Sequence, residues 1–303
     1  MKRFNIVIYY YMRGSITRKT KKNKKKNFKK LNCSGNKKSF TCYSSNSLQH
    51  MKKRWNTRHP DNKILKEKPK EIWNMFKKQL NNSCESEACW LRQNFMKGGL
   101  TKELLNYTFA PFAPLSWDKN PNTWLTSVDI SKVMKQYEHK HPDFSFIGPS
   151  PIDYDAIDED NERVWDELYN FDVDKNIQKG KKKIGIIFNT DTHDKSGAHW
   201  ISLFINLETG KMSFFDSVGD KAPSNVKKFC NMVKKQAEKS LYELPEFEFE
   251  EGYPMVHQKK NTECGIYSLF FIKNMIEKNN FEFFKKEKIK DDDMEKFRNY
   301  FFN

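Results

Sequence analysis

The sequence predicts an α+β protein, with helices towards both ends and strands clustered between residues 144 and 258. Three observations carry that expectation. Gln258–Ile276 (QKKNTECGIYSLFFIKNMI) passes from a polar lead into a run that is apolar nearly all round, the mark of a helix buried on most sides. Lys183–Asn189 (KIGIIFN) is short and continuously apolar, which suits the inside of a sheet. Ala198–Leu207 (AHWISLFINL), the turn Glu208–Lys211 and the returning stretch Met212–Phe215 read as a hairpin, with Gly210 supplying the positive φ.

At 303 residues, 15% of them aromatic, the chain has material for a sizeable core, which excludes a wholly disordered protein. The net charge of +16 is unevenly placed. Residues 1–50 hold fourteen Lys or Arg and no Asp or Glu, so 51–303 carry 41 basic and 39 acidic residues and are close to neutral. This divides the chain into a basic, disordered arm (1–50), a helical N-terminal region (51–115) and a main domain (116–303). The arm is suited to electrostatic docking on nucleic acid phosphates, an acidic partner or an import receptor.

Six cysteines are too few for a disulfide scaffold and suit a reducing compartment. Phe4–Met12 is apolar but meets a lysine tract rather than a cleavage site, so it is not read as a secretion signal. No stretch reaches the roughly 18 apolar residues that span a bilayer. The expectation is a soluble monomer without membrane contact.

In chain order, residues 62–106 are helical, with Ile72, Met75, Phe76 and Leu80 on one face and Pro69 in a first turn. Cys84 and Cys89 are five apart and lack a second pair, so they read as core thiols and no metal site is assigned. Ala110–Pro121 is proline-rich and reads as a linker or wrapped loop. A helix follows, capped by Thr126 or Ser127 with Asp129 in its first turn. Phe144–Ile147 is a strand, Gly148–Pro151 a turn and Arg163–Phe171 a helix. Beyond the hairpin, Ala222–Leu241 is an amphipathic helix with Val226, Phe229, Cys230, Val233 and Ala237 inward. Phe247–Glu250 and Met255–Gln258 read as strand pieces. The last helix is capped around Asp291 and buries Met294, Phe297 and Phe301.

The chemistry gathers on four residues. Cys264 sits at the first turn of the buried helix, at the positive end of its dipole, where a thiolate is favoured. The hairpin brings its outer ends together, which places His199 beside Asp216. Gln258 stands six positions before the cysteine. Taken singly, each has an ordinary explanation: a core thiol, a strand-end histidine, a turn aspartate, a surface amide. Together they fill every role of cysteine acyl transfer. His199 deprotonates Cys264, Asp216 fixes the imidazole, and the Gln258 side-chain amide with the Cys264 backbone N–H forms the oxyanion hole. No cofactor is needed.

His199-Trp200 in a strand, Asp216-Ser217 at the end of the next, and Gln258 six residues before Cys264-Gly265 resemble the cysteine proteases that include SUMO-specific proteases, adenovirus protease and the polyprotein-processing proteases of large cytoplasmic DNA viruses. The likeness covers roughly residues 120–280. Phe146-Ile147-Gly148-Pro149-Ser150-Pro151-Ile152-Asp153-Tyr154-Asp155 is closest to the viral branch. The resemblance implies a papain-related α+β fold with a central mixed sheet flanked by helices, a triad of His199, Asp216 and Cys264, and an oxyanion donor at Gln258. It also implies that Trp124 lines the substrate channel and that Trp200 packs over the substrate tail. The expected activity is cleavage after small residues, at Gly-Gly-X or Ala-Gly-X sites, in a viral structural polyprotein during virion maturation, in the virion and host cytoplasm. Deconjugation of SUMO or a related modifier is the alternative within that chemistry, and a basic nucleic-acid-binding module the alternative outside it.

Overall fold

Strands β1 (Phe144–Pro151), β2 (Lys183–Asn189), β3 (Trp200–Asn206), β4 (Lys211–Phe215) and β5 (Glu248–Glu251) lie in that order in one sheet. The outer pairs, β1–β2 and β4–β5, are parallel, and the inner pairs are antiparallel. The structure, a computed structural model, describes residues 28–36 and 39–303. Among the described residues, no helix is long and apolar enough to cross a membrane.

Both faces of the sheet are covered, which is why β2 and β3 are apolar without alternation. On one face Ile187, Trp200, Phe204 and Phe215 pack in a common core with the central helix, Cys264–Lys278, through Leu269, Phe271 and Ile272. On the other, Ile184, Ile186, Ile201, Leu203 and Ile205 join Val226, Phe229 and Val233 of the helix Ser224–Ala237. The C-terminal helix, Asp291–Phe301, closes the first core with Met294 and Phe301. The helix Ser127–Lys140 has the predicted start: Thr126 and Asp129 form a reciprocal capping box.

Three expectations change. Gly148–Pro151 is not a turn but the second half of β1, which pairs with β2 through a register shift between Ile147 and Ser150. Gly148 makes this possible: its φ is +111°, and a Cβ there would stand 2.8 Å from the Ile187 carbonyl oxygen. Met255–Gln258 is loop rather than strand, and in Arg163–Phe171 only Asp166–Tyr169 is helical.

A further change is at the N-terminus. From residue 28 the chain is not a free arm. Leu31, Cys33, Tyr43 and Leu48 are buried, and the first long helix, Ser45–Arg58, begins before residue 51. Leu31, Tyr43 and Leu48 share a core with Trp55, Ile72, Phe76 and Trp90. Buried Glu87 ties the segment down by accepting from the Thr41 hydroxyl (3.0 Å), the Cys42 N–H (3.2 Å) and the Trp73 indole. A few apolar anchors suffice, and the surrounding lysines mask them in any average over the stretch. Residues 1–27, the rest of the expected arm apart from 37–38, lie outside the described residues. Cys33–Cys42 and Cys84–Cys89 are disulfides, so the reading of Cys84 and Cys89 as thiols is corrected. Short separations of nine and five residues hold their Cα atoms 5.1 and 5.5 Å apart, within bridging range. No group of three or more metal-ligating side chains occurs among the described residues.

Candidate active site

The hairpin β3–β4 sets the first contact. Its register pairs Ser202 with Phe215. One step further, Asp216 falls opposite Ile201, on the face and diagonal of His199. The His199 Nε2 is 2.7 Å from Asp216 Oδ1, and the same oxygen accepts from the Val218 N–H at 3.0 Å. Asp216 is buried, and its carboxylate is held in place from these two sides. The loop before His199 is braced as well: the Thr190 N–H donates to the His199 carbonyl (2.9 Å), and the Ala198 N–H donates to the Asn189 side chain (3.0 Å).

With Nε2 engaged by Asp216, Nδ1 is the nitrogen left for the sulfur, and the Cys264 side chain is near enough to the imidazole to interact with it. Burial lowers the His199 pKa, but the hydrogen bonds and charge attraction of Asp216 and Cys264 outweigh it and push the value up to about 10. An imidazole so placed is held as the imidazolium, the form that pairs with a thiolate. Cys264 opens the central helix and is buried, 2% exposed. Cys230, the other free cysteine, is also buried; burial pushes its pKa up to about 12, which makes it an inert core thiol.

Gln258 is buried in the loop that leads to Cys264. Its backbone N–H donates to the Ser217 carbonyl (2.7 Å), and its side-chain oxygen accepts from the Ser217 hydroxyl (2.7 Å). The amide is thereby oriented with Nε2 as the donor end, one hydrogen of which goes to the Lys260 carbonyl (2.5 Å). Ser217, which follows Asp216, therefore links the end of β4 to the donor loop. In the sequence Ser217 stands only as the second half of the Asp216-Ser217 pair, with no role of its own.

A cleft of about 690 Å³ runs beside this cluster and is lined by Trp124, Leu125, Trp165, His193, Gly197 and Trp200, among others. Trp124 is 40% exposed in it, whereas Trp200 is largely buried, with its indole N–H donating to the Leu125 carbonyl at 3.1 Å. Gly265 is needed where these parts meet, since a Cβ there would stand 3.0 Å from Leu125 Cβ and 3.3 Å from Trp200 Cδ1. His199, Asp216 and Cys264 are thus brought together, Gln258 is tied to the end of β4 through Ser217, and Trp124 and Trp200 line the cleft beside them. A cavity elsewhere, lined by Arg92, Leu105, Phe112 and Gln136, is remote from this chemistry.

Residues 121–303 match the model of the Ulp1 protease family, C-terminal catalytic domain. The chain belongs to that family. It is a cysteine peptidase, as the resemblance implied. Two viral relatives agree: a protein of Acanthamoeba polyphaga mimivirus, named as a thiol protease, is 28% identical over 78% of this chain and 80% of its own length. An African swine fever virus protein, named as a SUMO-1 cysteine protease, is 25% identical over 80% of this chain and 91% of its own. In fold, the chain is similar to a crystal structure of the African swine fever virus protease, with a TM-score of 0.63, 21% identity and coverage of 90% and 95% of the two chains. The α+β fold with a mixed sheet is thus that of a Ulp1-type protease.

Proposed function

We propose that His199, Asp216 and Cys264 are the catalytic triad of this peptidase and that Gln258 and the Cys264 N–H stabilise the oxyanion. The observation that carries this is the 2.7 Å contact of His199 Nε2 with Asp216 while the other edge of the ring meets Cys264. In the first step the thiolate attacks the scissile carbonyl carbon and the electron pair moves to oxygen, where the amide donors meet it. Collapse of that intermediate breaks the C–N bond, and the His199 imidazolium gives its proton to the leaving amine. The resulting thioester is hydrolysed by water, deprotonated by the now neutral imidazole.

The substrate is a protein chain cleaved after glycine. The wall of Trp124, Trp200 and Leu125 supports this reading, because a tail passing between indoles has room for little side chain. Gly-Gly-X and Ala-Gly-X sites in a viral structural polyprotein, processed in the virion or host cytoplasm, fit the viral relatives. Profiling the cleavage sites of the full chain on a peptide library tests it; preference for a large residue before the cut would refute it. The name of the African swine fever virus relative favours a second reading, deconjugation of a SUMO-like modifier. Efficient capture by a SUMO vinyl sulfone, and poor turnover of short Gly-Gly-X peptides, would select that one.

Binding of nucleic acid phosphates through the basic N-terminus accompanies either reading. Charge supports it: residues 28–110 alone hold seventeen Lys or Arg against six Asp or Glu. DNA affinity that falls steeply with salt, and disappears on deleting residues 1–27, would locate the binding in the part of the basic N-terminus that precedes the folded segment.

A further inference from the structure

We infer that the C-terminal helix positions the catalytic loop, through Arg298 and Asp291, and is thereby part of what sets turnover. The inference rests on the proposed roles of Gln258 and Cys264 and assigns what holds them. Between those two residues lie Lys259–Glu263, without regular secondary structure to fix them.

Both ends of this loop are gripped from the same helix. At its N-terminus, Asp291 Oδ2 accepts from the Lys259 and Lys260 N–H groups, each at 3.0 Å, while Oδ1 accepts from the Tyr267 hydroxyl at 3.1 Å. Two turns on, Arg298 is 4% exposed and Glu263 fully buried. The guanidinium forks onto that carboxylate, Nε to Oε2 at 2.8 Å and one terminal nitrogen to Oε1 at 2.7 Å. The same terminal nitrogen donates to the Thr262 carbonyl (3.0 Å), and the other to the Thr123 carbonyl (2.8 Å). Glu263 immediately precedes Cys264, and Thr123 immediately precedes Trp124. One side chain therefore joins the approach to the nucleophile to the wall of the cleft, and Asp291 fixes the backbone on which the Gln258 amide rests through Lys260.

A buried ion pair is weak evidence for stability, because desolvating two charges offsets most of their attraction. What it supplies is direction. A bidentate guanidinium–carboxylate pair tolerates few geometries, and a loop held this way presents its N–H donors without reorganisation at the moment of reaction.

The test uses the full chain with three variants: Arg298→Met/Glu263→Met together, which removes both charges at similar volume, Asp291→Asn, which keeps the shape, and Arg298→Lys. Readouts are the thermal midpoint, kcat and KM on a Gly-Gly-aminomethylcoumarin peptide, and the rate of Cys264 adduct formation with a Gly-Gly vinyl sulfone. The expected result is a fall of about 10–100-fold in kcat and in adduct rate, with KM within about threefold, in variants that remain folded. Arg298→Lys, which keeps the charge but loses the fork, should lie between them and wild type. Folded variants with undiminished kcat and adduct rate would overturn the inference and leave the helix a purely structural closure. Loss of turnover only in proportion to lost folded protein, in all three variants, would overturn it equally. A wild-type chain that forms no adduct at Cys264 with either the Gly-Gly or a SUMO vinyl sulfone would instead refute the triad itself, so the two failures are distinct.

Discussion

His199 reaches Asp216 through Nε2, at 2.7 Å, which leaves Nδ1 for the sulfur of Cys264. The carboxylate and the thiol thus sit on opposite edges of one ring, and each proton position on that ring answers to both.

Asp216→Asn should cut kcat/KM by about 10²–10⁴-fold, since a neutral amide does not balance the imidazolium. The pH profile gives the sign. A His199 value raised to about 10 means its stabilising contribution is complete below the unfolded value near 6.5 and is lost as pH rises through about 10. The alkaline limb of kcat/KM should therefore lie well above neutrality in the wild type and move down towards 6.5 in Asp216→Asn. Identical limbs in the two proteins would contradict the coupling.

Gln258→Ala should lower kcat by about 10²–10³-fold with KM little changed, the pattern of an interaction made mainly in the transition state. Ser217→Ala leaves the amide in place but removes the hydroxyl that orients it, and should cost a smaller part of the same loss. Steady-state kinetics on one peptide distinguish the two.

Gly265→Ala tests the packing between the central helix and the cleft. In an open helix the change would stabilise by up to about 1 kcal/mol. Here the added methyl meets Leu125 Cβ, which is anchored to its own backbone, so the contact should win. A net loss of about 1–3 kcal/mol is expected, read as a drop of several degrees in the thermal midpoint.

Trp124→Ala should raise KM for a Gly-Gly-X peptide about tenfold and admit alanine at the cleavage position, with the thermal midpoint almost unmoved because the ring is 40% exposed. A large stability loss without a change in selectivity would make Trp124 a core residue instead.

What could be read from the sequence was local. The two-residue period of strands and a glycine turn suffice to bring His199 to Asp216, and an all-round apolar run suffices to bury the helix behind Cys264. Contacts closed by distant segments left no trace. Arg298 looks like the polar side of an amphipathic helix, and Asp291 like an ordinary cap, because their partners lie 24 to 36 residues earlier in the loop and central helix and, for Thr123, 175 earlier. The parallel pairing of β1 with β2 likewise overrode the turn character of Gly148–Pro151. Lysines hid the anchors Leu31, Tyr43 and Leu48 in what reads as solvated chain.

The central claim, that Cys264 is the nucleophile and His199 its activating partner, is tested most directly by covalent trapping. The full chain is treated with a Gly-Gly vinyl sulfone peptide, and the adduct is located by peptide mass spectrometry in wild type, His199→Ala and Cys264→Ala. The prediction is one adduct, on Cys264, that slows at least about 10²-fold in His199→Ala and is absent in Cys264→Ala. An adduct on another residue, or one formed at the same rate without the imidazole, would contradict it.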